Sequence, residues 1–473
     1  MRERADKRPS TNLPLCEDDA SDPCVMPEYP KREAKRDHRK NKASHQRPPR
    51  RMPAAEPEQA APEAPGPGRE VPGAARLSRR AADRLRAGHV WVYRSDVEEW
   101  PADPERLSAG LLPVIDRRGV PLGTALYSPA SEIALRLISP ELIAAESEWL
   151  HLLRQRLRAS ITRRKPLLNA ENDACRLVFS EADELPGITA DQYAGLVIVQ
   201  LRHKALDSNA VRSTVAETIR EAVDPESILE REDPRIRELE QLSVPASATL
   251  YSRDAEAVTS TVFRINGLRF HFDATSGQKT GAFLDQRENY VAAARYASGE
   301  ALDLCTYQGG FALHLARTCD RVTGIDVSRA ALEVAERNLD ENRAAIRAEV
   351  DWVEADAFDL LRDWSDAGSV YDTIVLDPPA FAKTKRAVEG ALRGYRELNL
   401  RALKMLRPGG RLITCSCSHH VALADFMDTI RSAAGDARRR VRLLEVRGAA
   451  ADHPVVLNIP ETEYLKCVIV EVE

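Results

Sequence analysis

The 473-residue chain contains no apolar run of 18 or more residues, so no membrane-spanning helix is expected and membrane-embedded enzymes are excluded. Cysteine is sparse: Cys16, Cys24, Cys175, Cys305, Cys319, Cys415, Cys417 and Cys467 are the eight, and no secretory leader is recognised ahead of them. A disulfide-stapled secreted scaffold is therefore not expected; reduced thiols in a cytoplasm are. An excess of positive charge is also missing, with 68 Lys and Arg against 73 Asp and Glu and a formal charge of -5. Nucleic-acid binders are usually basic, so a role of that kind must rest on local charge.

What is present is unevenly distributed. Residues 1–74 hold 13 of the 29 prolines and the low-complexity run Ala54 to Gly68, with little aliphatic periodicity, so a disordered tail is expected. Within it Lys31 to Arg51 carries ten basic residues against two acids, which reads as a solvated charge run in preference to an RNA-binding arm. Acidic residues among the first 22 argue against an organellar transit peptide, and Met52, just after the basic run, is a candidate start of translation. Residues 75–145 contain short β-type runs, Val90 to Tyr93, Leu111 to Ile115, Leu122 to Tyr127 and Ile133 to Ile138, which predict a small β-barrel. Residues 146–270 are expected to form a linker helix and a central α+β module, with the helical period running over Glu141 to Arg158 and a β segment near Val262 to Phe272 at its end. From Arg154 to Lys165 there are six basic residues and no acid, a candidate RNA-facing patch that includes Arg154 and Arg158. The first 75 residues carry only 15 basic against 13 acidic residues, so the tail hides no basic protein; positive charge gathers at Arg76 to Arg94 and at Arg154 to Lys165.

In residues 271–473, and clearly from Ala301 onward, strands alternate with helices, which implies a parallel sheet with helices on both faces. The first strand runs into Thr306-Tyr307-Gln308-Gly309-Gly310-Phe311, a glycine turn leading to a helix. Asp303, Asp326, Asp356 and Asp377 fall at or near the carboxyl ends of successive strands, where open α/β sheets bind ligands. A dinucleotide would call for Gly-x-Gly-x-x-Gly, which is absent. S-adenosylmethionine (SAM), a phosphate-free sulfonium cation, suits the acidic ladder better. The fifth strand finishes with Cys415 and Cys417, and a thiol there suits attack on an electron-poor ring carbon, with a buried structural thiol as the alternative. Cys415, Cys417, His419 and His420 are too crowded for a usual metal site.

The run Phe272 to Asn289, with Asp377-Pro378-Pro379-Ala380-Phe381, Gly394 to Asn399, Thr414 to Ser418 and Ala451 to Pro454, resembles the bacterial large-subunit rRNA cytosine-C5 methyltransferase family. Leu85 to Tyr93 is similar to the opening of that family's PUA domain, and Phe179 to Gly187 to its central module. The resemblance implies a class I SAM-dependent methyltransferase fold, Rossmann-like with a seven-stranded mixed sheet, behind a small α+β module and an N-terminal PUA-like β-barrel. It implies Cys417 as nucleophile and Asp377 as the residue contacting the cytosine edge. Asp303, Tyr307, Gly309, Asp326, Asp356, Asp377, Gln286 and Arg287 are the expected cofactor residues; Lys279, Pro378, Pro379, Phe381, Arg154 and Arg158 are those expected at the RNA. Pro379 stands where many other RNA cytosine methyltransferases have a second Cys, so release has no second thiol to draw on. The expected partner is rRNA, with a homodimer as an open expectation. The alternatives are a guanine or nitrogen RNA methyltransferase, in which Cys417 is structural, and a catalytically silent RNA-binding assembly factor.

Overall fold

The computed structural model describes residues 71–473 apart from Glu105, Glu232, Ala246 and 276–281. The tail expected to be disordered and Lys279 thus lie outside the described residues, almost entirely for the tail. Order starts at β1 (Ala75–Leu77), followed by α1 (Arg79–Arg86), β2 (Trp91–Val92), β3 (Val97–Glu99), β4 (Gly110–Ile115), β5 (Pro121–Tyr127) and β6 (Leu135–Ser139). These strands form one six-stranded sheet in the order β2-β6-β5-β4-β1-β3, with β1 and β4 parallel and the other pairs antiparallel.

The helix expected from Glu141 instead spans α2 (Glu146–Arg164). Trp149, Leu153, Leu157 and Ile161 recur every fourth residue, so they share one face and are buried together against the central module. Pro140, five residues upstream of the cap, keeps the segment before it extended, and Glu146 and Glu148 complement the dipole of the first turn.

The central sheet is built from β7 (Ala174–Phe179), β8 (Ile188–Tyr193), β9 (Leu196–Leu201), β10 (Ser227–Glu230) and β11 (Thr249–Ser252), with α3 (Asn209–Val223) and α4 (Pro234–Glu240) between β9 and β11. Its strand order is β11-β10-β9-β8-β7. The single β segment expected over 262–272 is a hairpin, β12 (Ser260–Ile265) and β13 (Leu268–Asp273). Asn266 and Gly267, at φ 52° and 81°, make the two-residue turn whose positive φ angles match strand twist. The hairpin carries Phe263, Phe270 and Phe272 into a core shared with Tyr193 of β8 and Phe311 further on, with Phe272 stacked on Tyr193 at 4.2 Å. The boundary expected at 270 falls inside β13, a strand that packs on both sides of it.

Downstream come α5 (Arg287–Tyr296), β14 (Glu300–Leu304), α6 (Gly310–Leu315), β15 (Arg321–Asp326), α7 (Arg329–Asn342), β16 (Glu349–Glu354), α8 (Ala357–Asp366) and β17 (Tyr371–Leu376). The chain closes with α9 (Val388–Met405), β18 (Leu406–Ser416), α10 (Leu423–Asp436), β19 (Val441–Arg447) and β20 (Lys466–Val472). The seven strands are ordered β16-β15-β14-β17-β18-β20-β19, and β20 runs antiparallel to both of its neighbours. This is the mixed sheet expected. The order reverses at β14, so the carboxyl ends of β14 and β17 flank the crevice where such sheets take ligands.

Candidate active site

The loop after β14 is held by carboxylates. Asp303, fully buried, accepts the Thr306 hydroxyl at 2.6 Å and the Ala312 amide at 2.9 Å through one oxygen. Its other oxygen is buried without a partner, and burial pushes the carboxyl up to about 7 against the pull of those two bonds. Cys305 and Tyr307 on either side of Thr306 have φ of 60° and 52°, rare for residues with a side chain. The Tyr307 amide is caught by Asp326 at 2.9 Å, while the other Asp326 oxygen takes the Ser328 amide at 2.9 Å. Each of these oxygens keeps a lone pair for a further donor such as a ribose hydroxyl. Gly309 (φ 84°) opens α6, and a Cβ on Gly310 would stand 2.5 Å from the Tyr290 hydroxyl. The backbone therefore passes where a side chain has no room.

Residues of this loop line a cleft together with Phe283, Tyr290 and Asp377. Tyr307 meets the Phe283 ring edge-on at 5.2 Å. A strained glycine loop and Asp377 at the cleft, with Asp303 and Asp326 holding that loop through Thr306, Ala312 and Tyr307, fit a cationic nucleoside such as SAM.

Asp377, just beyond β17, accepts a hydrogen bond from Gln286 Nε2 at 3.1 Å, and Gln286 is itself fixed through its carbonyl by Asn289 at 2.7 Å. Pro378 is buried and Pro379 exposed. Cys417, half-buried, follows the last residue of β18 and lies 3.9 Å from the Pro378 carbonyl. The Tyr395 hydroxyl of α9 bonds Ser416 and Ser418, each at 3.0 Å, and so grips both neighbours of the cysteine. The Ser418 hydroxyl also receives the Ala382 amide at 3.2 Å, tying this turn to the segment after Pro379. Beside it, Lys466 of β20 donates to the carbonyls of Ser418 and Tyr464, each at 2.7 Å. Cys415 is buried inside β18, opposite Cys467, and its contact with that thiol, followed by burial, holds its own thiol well above the usual range.

Several expected site residues are placed elsewhere. Asp356 is exposed and caps α8 by accepting the Phe358 and Asp359 amides through one oxygen, while its charge still reaches Cys305 at the cleft. Arg287 turns from the cleft: it is buried, bonds the Ala174 carbonyl at 3.0 Å and pairs with Asp452 at 3.3 Å, joining the central module to the C-terminal one. Phe381 packs on Tyr395 and Phe358 at ring distances of 4.7 and 5.8 Å, which makes its contribution a packing one. Arg154 and Arg158 pair with Glu217 and Glu221 of α3, and Arg163 and Arg164 both pair with Asp183. The expected basic patch is thus largely neutralised by acids distant in sequence. Tyr395, Lys466 and Asp452 were missed as site or junction residues; the run Gly394 to Asn399 held the signal for Tyr395 and the Ala451 to Pro454 motif that for Asp452, while Lys466 lies in neither.

Comparison with known proteins agrees with this fold. Residues 75–140 match a PUA-like domain, and residues 181–448 match the S-adenosylmethionine-dependent methyltransferase family. Two curated relatives, both called ribosomal RNA large subunit methyltransferase I, come from Pseudoalteromonas translucida and Erwinia tasmaniensis. The first is 33% identical over 82% of this chain and 96% of its own length; the second is 34% identical over 80% and 94%. A solved chain, SMU.776, assigned as a methyltransferase and complexed with SAH, superposes at a TM-score of 0.71 with 21% identity, covering 84% of this chain and 99% of its own. At that identity it speaks for the fold.

Proposed function

The chain belongs to the S-adenosylmethionine-dependent methyltransferase family, and from that premise we propose that it forms 5-methylcytosine in large-subunit ribosomal RNA through a covalent bond between Cys417 and the cytosine. SAM is the cofactor, and when bound it supplies an electrophilic methyl group on a sulfonium. The observation that carries the cytosine reading is a half-buried thiol gripped on both sides, against the Pro378 carbonyl at the ligand end of the sheet. The named relatives support rRNA as the substrate, and the PUA-like match supports RNA binding.

In this reading Asp326 and the Tyr307 to Gly310 backbone hold the nucleoside, and Asp303 fixes the loop. Carbon 5 of cytosine is a poor nucleophile by itself. Addition of the Cys417 thiolate to carbon 6 shifts electron density to carbon 5, the atom that is methylated, and loss of the carbon-5 proton then expels the thiolate. Asp377, oriented by Gln286, contacts the base edge. The base must be unstacked for this, which suits unpaired or flipped-out RNA. A homodimer and a cytoplasmic setting belong to the same reading; no helix among the described residues is long and apolar enough to cross a membrane, and light scattering checks the oligomeric state.

Incubation with labelled SAM and unmodified rRNA, followed by base identification, should yield 5-methylcytosine. Cys417→Ala should abolish it while SAM binding by calorimetry stays intact. Methylguanine would point to the nitrogen methyltransferase, RNA binding without SAM binding to an assembly factor, and methylation surviving Cys417→Ala would refute the nucleophile.

A further inference from the structure

Lys466 is only 4% exposed, yet no carboxylate lies within ion-pair distance of it among the described residues. Register puts it opposite Ser416, the residue before Cys417, and one of its bonds goes to the carbonyl of Ser418, the residue after. Those two carbonyls, of Ser418 and Tyr464, satisfy two of three ammonium N–H groups and neutralise no charge. A buried ammonium without a counter-charge is unfavourable, and burial does pull Lys466 down to about 8, while Cys417 acts in the opposite direction and favours the ammonium.

Resting on the reading of Cys417 as nucleophile, we propose that Lys466 is a positioning residue whose buried ammonium holds the Cys417 sulfur as a thiolate. The thiol proton leaves to solvent, Lys466 keeps its own three protons, and the sulfur electron pair is then free to form the bond to carbon 6. The chain's other ionisable groups around this pair leave the assignment standing. Tyr395 of α9 and Tyr464 before β20 are both held neutral by burial, and each hydroxyl is engaged, Tyr395 by Ser416 and Ser418, Tyr464 by Asp285 at 2.5 Å. His419, stacked on Tyr464, has its ring kept below the usual range by burial first and by the Lys466 charge next. Glu463 acts on Lys466 in the same sense as Cys417 but more weakly, and the Cys417 sulfur meets the uncharged Pro378 carbonyl at 3.9 Å. Lys466 is the buried cation of the group, and a neighbouring ammonium is one of the recognised causes of a depressed thiol pKa.

The test follows the pH dependence of iodoacetamide alkylation at Cys417 in the full-length protein, read on the Cys417 peptide by mass spectrometry. Wild-type protein should show a midpoint well below the roughly 8.5 of a free cysteine. Lys466→Met, close in length but neutral, should move that midpoint up by about one pH unit and slow alkylation near neutrality about tenfold. SAM binding by calorimetry verifies that the variant is folded. A wild-type midpoint at or above the free-cysteine value, or a folded Lys466→Met with an unshifted profile, would overturn the inference. The first of these needs no variant. Failure of the nucleophile reading shows separately, as methylation surviving Cys417→Ala, because the thiol profile is read without any methyl transfer.

Discussion

Burial raises the Asp303 carboxyl to about 7, and the direction of that shift dictates how the cofactor site responds to pH. A carboxyl whose folded pKa lies above its unfolded value of 3.8 takes up protons in the folded state, so its contribution to stability falls as pH rises from about 4 to 7 and is flat above. One pKa unit is about 1.4 kcal/mol, so even part of the shift is measurable. Asp303→Asn keeps one acceptor for Thr306 and Ala312, and urea titrations should show a shallower loss of stability over that window than in wild type. A bound cation favours the ionised carboxyl, so SAM affinity should rise with pH up to about 7 and then level off; a flat calorimetric profile between about pH 6 and 8 would remove Asp303 from cofactor binding. The aspartate ladder was legible because strand ends repeat in register along the sequence. What separates its members was not: Asp356 caps a helix through one oxygen, while Asp326 holds the Tyr307 amide of the cofactor loop, and only the fold tells them apart. Arg287 was misread because Asp452, its partner, stands 165 positions later.

The elements that deliver Cys417 come from α9, β18 and β20, and their interplay rests on one hydroxyl. Removing it in Tyr395→Phe takes their shared partner from the Ser416 and Ser418 hydroxyls, both fully buried and left with one backbone amide each, at a cost of about 1–3 kcal/mol in stability. The rate should fall with little change in SAM affinity, since Tyr395 is remote from the Tyr307 to Gly310 loop; an unchanged kcat in the stable variant would show that the grip on the serines does not matter to the thiol. On the cofactor side, Gly310→Ala forces a Cβ against the buried Tyr290 hydroxyl, so SAM binding should weaken at least tenfold, as measured by calorimetry. Strand and helix alternation made the seven-stranded sheet readable, because period and turn chemistry are local signals. The β12–β13 hairpin was harder. Its Phe residues read as one apolar strand, and what divides them is the Asn266-Gly267 turn, a two-residue signal inside a long apolar run.

At the scale of the whole molecule the charge of -5 must be reconciled with an RNA substrate. Composition pointed to two basic clusters, and folding disposes of most of one by pairing α2 with α3 and with Asp183, contacts between residues 19 to 63 positions apart that no local reading detects. The other cluster fares differently. Arg76, Arg84 and Arg86 are engaged by Glu99, Asp96 and Asp116, but Arg79 is 85% exposed at the start of α1, with one long contact to Asp83, and Arg80 is exposed with no ion pair among the described residues. Each phosphate contact contributes about 0.7–0.9 to the slope of log affinity against log salt. Arg79→Gln with Arg80→Gln should therefore lower that slope by about one to two, whereas Arg154→Gln with Arg158→Gln should change it by less than about one, since those guanidinium groups already have carboxylates to replace the phosphates. Filter binding of an unmodified rRNA fragment across a salt series measures both. Equal effects from the two pairs would mean that the α2–α3 ion pairs open on RNA and that the surface seen in the free protein is not the one RNA meets.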